Sequence, residues 1–191
     1  MTVRTHRSRL TSESGFTILE TVLVVGIIAV LGAMTVGVAQ NMLNQTKADS
    51  GQVAIVRALE VARSRAVAER RNFEVNFVAP NEIQILRREV PGNAKTLISK
   101  FYLENGLTFE RFTGQPDTPD QFGSASAVTF TGTAPVMFTS DGSLIDDNGD
   151  VTNGTVFLGR PREAATARAI TFFGVTGFMR SWEWTGKDWI E

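Results

Sequence analysis

Between Glu20 and Lys47 the chain carries no charged residue. Most of that interval, from Thr21 to Ala39, is built from Val, Ile, Leu, Ala, Met and Gly, with Thr21 and Thr35 the exceptions. As a helix it is long enough to cross a bilayer, which takes about 20 residues. The preceding residues are polar and basic, with Arg4, Arg7 and Arg9 against a single Glu13, and those that follow are mildly polar. That asymmetry predicts an N-terminus on the cytoplasmic side and the remainder of the chain outside.

Three readings compete for this segment. A secretory signal has an apolar core of roughly 7–15 residues followed by a small-residue cleavage site. Here the run is longer and no such site follows it. A plain membrane anchor fits the length, but it leaves Glu20 at the mouth of the run and the Gly15-Phe16 pair before it unexplained. An ionisable residue at a membrane segment is costly and points to function by default. The third reading starts from Gly15-Phe16-Thr17-Ile18-Leu19-Glu20, which resembles the prepilin peptidase motif of class III prepilin leaders. The resemblance implies cleavage after Gly15 and N-methylation of Phe16 as the first mature residue. Glu20 becomes the fifth, and the apolar run is kept. A carboxylate buried without a partner is destabilised by several kcal/mol. The freed amine at Phe16 of a neighbouring subunit can supply the opposite charge, so Glu20 sets the register in which subunits stack. Gly26, Gly32 and Gly37 weaken the helix, yet within a bundle they permit close approach or local melting.

Composition narrows the chemistry. Cysteine is absent and the one histidine, His6, lies in the segment expected to be removed. The mature chain then has neither thiol nor imidazole, which excludes Ser-His-Asp and Cys-His catalysis and His- or Cys-ligated metal. No constellation of carboxylates, Lys or Tyr resembles a site, so no enzyme and no cofactor is expected. The formal net charge is −1. The leader carries three arginines and one glutamate, so its removal leaves the mature chain at −3. No global basicity points to nucleic acid.

Past the apolar run the helical pattern continues. Ile55, Leu59, Ala62 and Ala66 fall on one stripe, with Arg57, Glu60, Arg63 and Arg70 largely elsewhere. The spacing predicts one helix from about Phe16 to about Arg71, spanning roughly 80 Å and weakened near Asn41–Asn44 or Ser50-Gly51. The period then changes to two. Phe73, Val75 and Phe77 alternate with Glu74 and Asn76, and Ile83 and Ile85 follow the Pro80-Asn81 turn. Further strands are predicted at Leu97–Tyr102, Leu107–Phe112, Ala127–Phe130, Val136–Phe138, Thr155–Leu158, Ala169–Phe173, Phe178–Trp184 and Asp188–Ile190. One helix followed by strands without alternating helices indicates an α+β fold with an antiparallel sheet. The organisation is a leader at 1–15, a membrane or filament-core helix at 16–40 and a head at 41–191.

Val56-Arg57-Ala58-Leu59-Glu60-Val61-Ala62-Arg63-Ser64-Arg65-Ala66-Val67, leading into Phe73-Glu74-Val75-Asn76-Phe77, is similar to the GspH/FimT family of pseudopilins and minor pilins. Phe138-Thr139-Ser140-Asp141-Gly142-Ser143 resembles that family's hairpin. Ala167–Thr171 with Thr176–Arg180 resembles its last strands. The resemblance implies a type IV pilin-like fold and a single-pass inner-membrane precursor with a periplasmic head. It also implies a minor subunit near the tip of a type II secretion pseudopilus or type IV pilus. The implied partners are prepilin peptidase, other pilins and the inner-membrane assembly platform.

Some members of the family bind DNA during uptake through a G-R-x-R motif. The matching stretch here is Gly177-Phe178-Met179-Arg180, in which Phe178 replaces the first arginine. Arg160, Arg162, Arg168, Arg180 and Lys187, interleaved with Trp182, Trp184 and Trp189, offer a second reason to consider nucleic acid, with Arg168 and Arg180 as candidate contacts. Against it, the tryptophans suit sheet packing, and Glu183, Asp188 and Glu191 dilute the charge. Asp146-Asp147-Asn148-Gly149-Asp150 has oxygen donors at alternate positions, as a calcium loop does. However, Val151 and Phe157 stand where an EF-hand needs Gly and Glu, and such clusters also make hairpins.

Overall fold

The computed structural model describes Gly15, residues 17–92 and residues 94–191. Leader residues 1–14, His6 among them, and Phe16 lie outside the described residues. Two compact units divide the chain, Met1–Asn41 and Met42–Glu191. One helix, α1 (Ile18–Glu69), contributes to both. It is unbroken at Asn41–Asn44 and Ser50-Gly51, where the sequence suggested weakening.

In the second unit α1 has one buried stripe: Ala48, Gly51, Ile55, Ala58, Leu59, Ala62 and Ala66. The steps of three and four residues are those of a single helix face. Small residues make up most of the stripe, so the sheets approach the helix closely. A Cβ at Gly51 would collide with the side chain of Leu107 and crowd that of Leu158.

The strands form two antiparallel five-stranded sheets, where the sequence suggested one. In chain order they are β1 (Phe73–Val78), β2 (Glu82–Arg88), β3 (Lys95–Tyr102), β4 (Val128–Phe130), β5 (Val136–Phe138), β6 (Leu144–Ile145), β7 (Gly154–Arg160), β8 (Glu163–Phe173), β9 (Phe178–Trp184) and β10 (Trp189–Ile190). The first sheet runs β3-β2-β1-β5-β6 and the second β10-β9-β8-β7-β4. The α+β class and the order, one long helix and then antiparallel strands, are as expected from the sequence.

Both sheets pack on α1. Phe73, Val75, Ile83, Ile85, Phe138 and Leu144 of the first sheet share one core with Val156, Leu158, Ile170 and Phe172 of the second. The alternate residues of the second sheet, Phe157, Ala167, Ala169 and Trp182, form a smaller core on its other face with Trp189. That face is covered by the chain's own 112–122 segment. The Trp189 indole N–H donates to the Pro116 carbonyl (3.0 Å), and Phe122 meets Phe173 edge to face. Leu107–Phe112, expected as a strand, forms no ladder: an isolated bridge joins Thr108 to Gly159, and the Glu110 N–H donates to the Phe157 carbonyl (3.2 Å). Its apolar residues are used in packing instead: Leu107 is buried and Phe109 meets Phe77 at 5.6 Å.

Arg63 ties α1 to a turn of each sheet. Its Nε donates to the Gly142 carbonyl (3.1 Å), between β5 and β6, and its Nη2 to the Thr176 carbonyl (2.7 Å), between β8 and β9. Gly177, at φ +64°, has no room for a Cβ: one would lie 2.6 Å from the Gly142 carbonyl oxygen and 2.7 Å from Arg63 Nε.

Candidate functional site

The first candidate site is the start of α1. Gly15 is exposed, and Phe16, its partner in the expected cleavage, lies outside the described residues. Thr17 caps the helix: its Oγ1 accepts a hydrogen bond from the Glu20 N–H (3.2 Å). Glu20 therefore sits three positions after the cap, in the first turn, where a carboxylate is favoured by the helix dipole. Thr17-x-x-Glu20 is the spacing of a capping box, a signal the sequence reading missed. It gives Glu20 a local role even in a plain anchor. Among the described residues Glu20 makes no ion pair.

From Ile18 to Asn41 every described side chain is exposed. Ile18 is 85% accessible, Leu19 81% and Met34 68%. This part of the helix is long and apolar enough to cross a membrane, and none of it is buried by the protein itself. A Cβ at Gly26, Gly32 or Gly37 would meet nothing within 4 Å, so no contact described within the chain requires those glycines.

The second candidate is the basic, tryptophan-rich C-terminal region. The structure places its two named arginines apart, on opposite faces of the second sheet. Arg168 is buried on the α1 side. Its Nε donates to Asp49 (2.7 Å), its Nη2 pairs with Glu183 (3.1 Å) and its Nη1 donates to the Ala167 carbonyl (3.0 Å). Arg180 lies on the other face, held by Asp120 (2.6 Å) and stacked over Phe173 and Trp182. Trp182 is itself buried, its indole N–H donating to Thr171 Oγ1 (3.0 Å). Thr171 donates in turn to Asp120 (2.6 Å). Arg180, Trp182 and Trp189, which could have gripped a phosphate and stacked on bases, thus hold the chain's own 112–122 segment, while Arg168 joins the sheet to α1. Their spacing reports a sheet buried on both faces.

The Asp146–Asp150 loop closes on itself. The Asp146 carboxylate is buried and accepts from the backbone N–H groups of Thr133 (3.0 Å), Asn148 (2.9 Å) and Asp150 (3.0 Å). These amide donors, Thr133 first, hold its pKa below the ordinary carboxylate value. Both oxygens are occupied by turn donors, and among the described residues no group of three acidic or histidine side chains is arranged to hold a metal ion. Asn153-Gly154-Thr155 has the spacing of a glycosylation sequon, but the Asn153 side-chain carbonyl accepts from Gly174 N–H (2.8 Å) and Thr155 is buried.

A further ionic cluster was not legible in the sequence. Glu74 is fully buried, with its two oxygens taken by Arg88 Nε and Lys95 Nζ, each at 2.8 Å. Arg88 continues to Asp147 (3.1 Å). These pairs stitch β1, β2 and β3 to the β6–β7 loop.

No family model and no curated protein matches the chain. Among solved structures it is similar to the minor pseudopilin EpsH from the type 2 secretion system of Vibrio cholerae, at 13% identity over 70% of this chain and 94% of that one, with a TM-score of 0.46. A second structure of that pseudopilin aligns at 15% identity over 77% and 97%, with a TM-score of 0.42. The type IV minor pilin FimU of Pseudomonas aeruginosa aligns at 15% identity over 74% and 89%, with a TM-score of 0.44.

Proposed function

We propose that the protein is a minor filament subunit of the GspH/FimT type, a structural component with no catalytic role. It is made as an inner-membrane precursor with its head in the periplasm, cut by prepilin peptidase between Gly15 and Phe16, and assembled with other pilins through the inner-membrane platform. Its place is near the tip of a type II secretion pseudopilus or type IV pilus, where it supports secretion or pilus assembly. The observation that carries this reading is the helix from Ile18 to Asn41. It is apolar on all sides, exposed at every described side chain, and opened by a single carboxylate five positions after Gly15. In water such a surface is strongly unfavourable. In lipid it is at rest, and in a filament it is covered by its counterparts.

Mass spectrometry of the native protein tests this directly. The expected N-terminus is N-methylated Phe16, and replacing Gly15 with a bulkier residue leaves the leader attached. A chain beginning elsewhere, or normal processing of that variant, overturns the reading. Glu20→Ala is expected to be cleaved but poorly incorporated into filaments. Undiminished recovery in the filament fraction removes the register role of Glu20 and leaves its capping position as the explanation.

A further inference from the structure

We infer that residues 111–126 form a hinged lid over the face of the second sheet that points away from α1. The lid opens as a unit while α1 and both sheets stay folded. Opening bares Phe157, Trp182 and Trp189, which the closed head keeps buried.

The segment is pinned at its base and free above it. Both ends meet at one residue of β7. The Phe157 carbonyl accepts from the Glu110 N–H (3.2 Å), and the Phe157 N–H donates to the Ala127 carbonyl (2.7 Å). Ends brought together in this way make a compact surface loop of the Ω type. Between them, among the described residues, no backbone-to-backbone hydrogen bond ties the loop to a strand. The Gln115 N–H returns to Phe112 (3.3 Å) and the Gln121 N–H to Thr118 (2.9 Å). Pro116 and Pro119 have no N–H to offer a ladder. The loop can therefore lift without unpairing a strand. Side-chain contacts hold it down. The Phe112 ring fills the notch left by Gly159, where a Cβ would lie 2.6 Å from it. Asp120 accepts from Thr171 and Arg180, the Trp189 indole reaches the Pro116 carbonyl, and Phe122 rests on Phe173.

The seam beneath the loop is poorly matched. Among the described residues, six buried side-chain nitrogen or oxygen atoms have no hydrogen-bond partner in the protein. Five of them lie here: Arg111 Nε, Gln115 Nε2 and Thr118 Oγ1 on the loop, and Thr155 Oγ1 and Arg180 Nε on the sheet. The sixth, Arg71 Nη1, lies just past the end of α1. Thr155 is spanned directly. It stands between Thr129 and Thr171 in a row across β4, β7 and β8. Gly123 sits against Thr129, and Asp120 binds Thr171. A buried polar atom without a protein partner is satisfied by water or not at all. In either case it holds the two surfaces together less than a paired or apolar contact would. A cleft of about 680 Å³ also opens between Asp117, Thr118 and Gln121 of the loop and Asp188 and Trp189. The second sheet is therefore gripped tightly on its α1 side and loosely on the other.

The chain has no cysteine, so a single introduced thiol reports opening. In the detergent-solubilised full chain, Thr155→Cys exchanges the unpartnered hydroxyl for a thiol under the loop. Val156→Cys places one on the next residue of the same strand, on the α1 side. Neither position has accessible surface in the closed head. Modification by a maleimide under native conditions is expected to be roughly 100-fold faster at 155 than at 156. Asp120→Ala is expected to raise the rate at 155 by roughly tenfold and to leave that at 156 unchanged. Equal rates at the two positions mean exposure by global unfolding and overturn the inference. A rate at 155 indifferent to Asp120→Ala overturns it too. The unsubstituted chain offers a second readout that needs no thiol. The Trp189 indole N–H, bonded to the Pro116 carbonyl of the loop, should exchange with deuterium roughly 100-fold faster than the Val156 amide. Indole exchange as slow as that amide rules the lid out.

Discussion

The two parts of α1 make opposite use of the same backbone. From Thr21 to Ala39 the side chains are almost all apolar, and none of the described ones is buried. From Met42 to Glu69 charges alternate with a narrow stripe, and that stripe is almost perfectly dry, Ile55, Ala58, Ala62 and Ala66 having no accessible surface. The second part finds its partner in its own chain, because two sheets close over it. The first part has no such partner within the described residues, and its apolar surface is left uncovered by its own chain. A helix's apolar content therefore says little about stability until the medium covering it is known.

This contrast can be tested by paired substitutions in the detergent-solubilised chain, followed by thermal unfolding of the head. Leu59→Ala removes a fully buried side chain and is expected to cost about 2–5 kcal/mol. Leu31→Ala, 58% exposed in the wild type, should leave the same transition within about 0.5 kcal/mol. Equal losses would show that the two parts do not behave as separate units. Arg168→Ala should cost about 1–3 kcal/mol, because it strips partners from Asp49 and Glu183 and opens a gap between α1 and β8. If the variant instead keeps full stability, the buried pairing is not structural and the nucleic-acid reading of Arg168 regains interest. A low-salt gel shift would then be the deciding measurement.

Glycines sharpen the comparison at smaller scale. Gly51→Ala gains helix propensity but forces a methyl into Leu107 and Leu158, with a net loss of about 1 kcal/mol expected. Gly32→Ala meets nothing in the chain and should raise helicity, seen by circular dichroism, without loss elsewhere. The smallest effect is acidic. The Asp141 carboxyl is held at about 2, below its ordinary 3.8, by the Thr139 hydroxyl first and then by the hydroxyl and N–H of Ser143. A depressed carboxyl contributes its stability in full above its unfolded value and loses it as pH falls through the folded one. The head's transition should therefore weaken between about pH 4 and pH 2, and Asp141→Asn should flatten that limb. The helix from Thr21 to Asn41 has no ionisable side chain and should show no such change.

What could be read from the sequence was what local pattern controls. The apolar run, the stripe from Ile55 to Ala66 and the alternating Phe73 and Val75 were visible because neighbours in sequence decide them. Glu74 was expected on the wet side of its strand. It is buried, because Arg88 and Lys95, 14 and 21 residues later, close over it. Arg168 looked available for the same reason, since Asp49 lies 119 residues away. Leu107–Phe112 alternates as a strand does, but Leu107 packs over Gly51 and Phe109 on Phe77, and the pairing beside Gly159 does not extend into a ladder. The Leu144–Ile145 strand is too short to show a period. The half-formed capping box at Thr17 was local and legible, and a more tempting meaning for Glu20 hid it.

Arg63 bears on how this molecule carries load. One guanidinium fastens the helix to a turn of each sheet, with carbonyl oxygens at both anchorages. Tension applied along the helix from its N-terminal end would reach both sheets through this rivet as well as through the greasy contact beneath it. Carbonyl clasps yield abruptly when stretched, whereas oily contacts slide. Under pulling in a single-molecule instrument, the head should therefore give way in one sharp rip, and swapping Arg63 for methionine should turn that rip into a softer, lower-force extension.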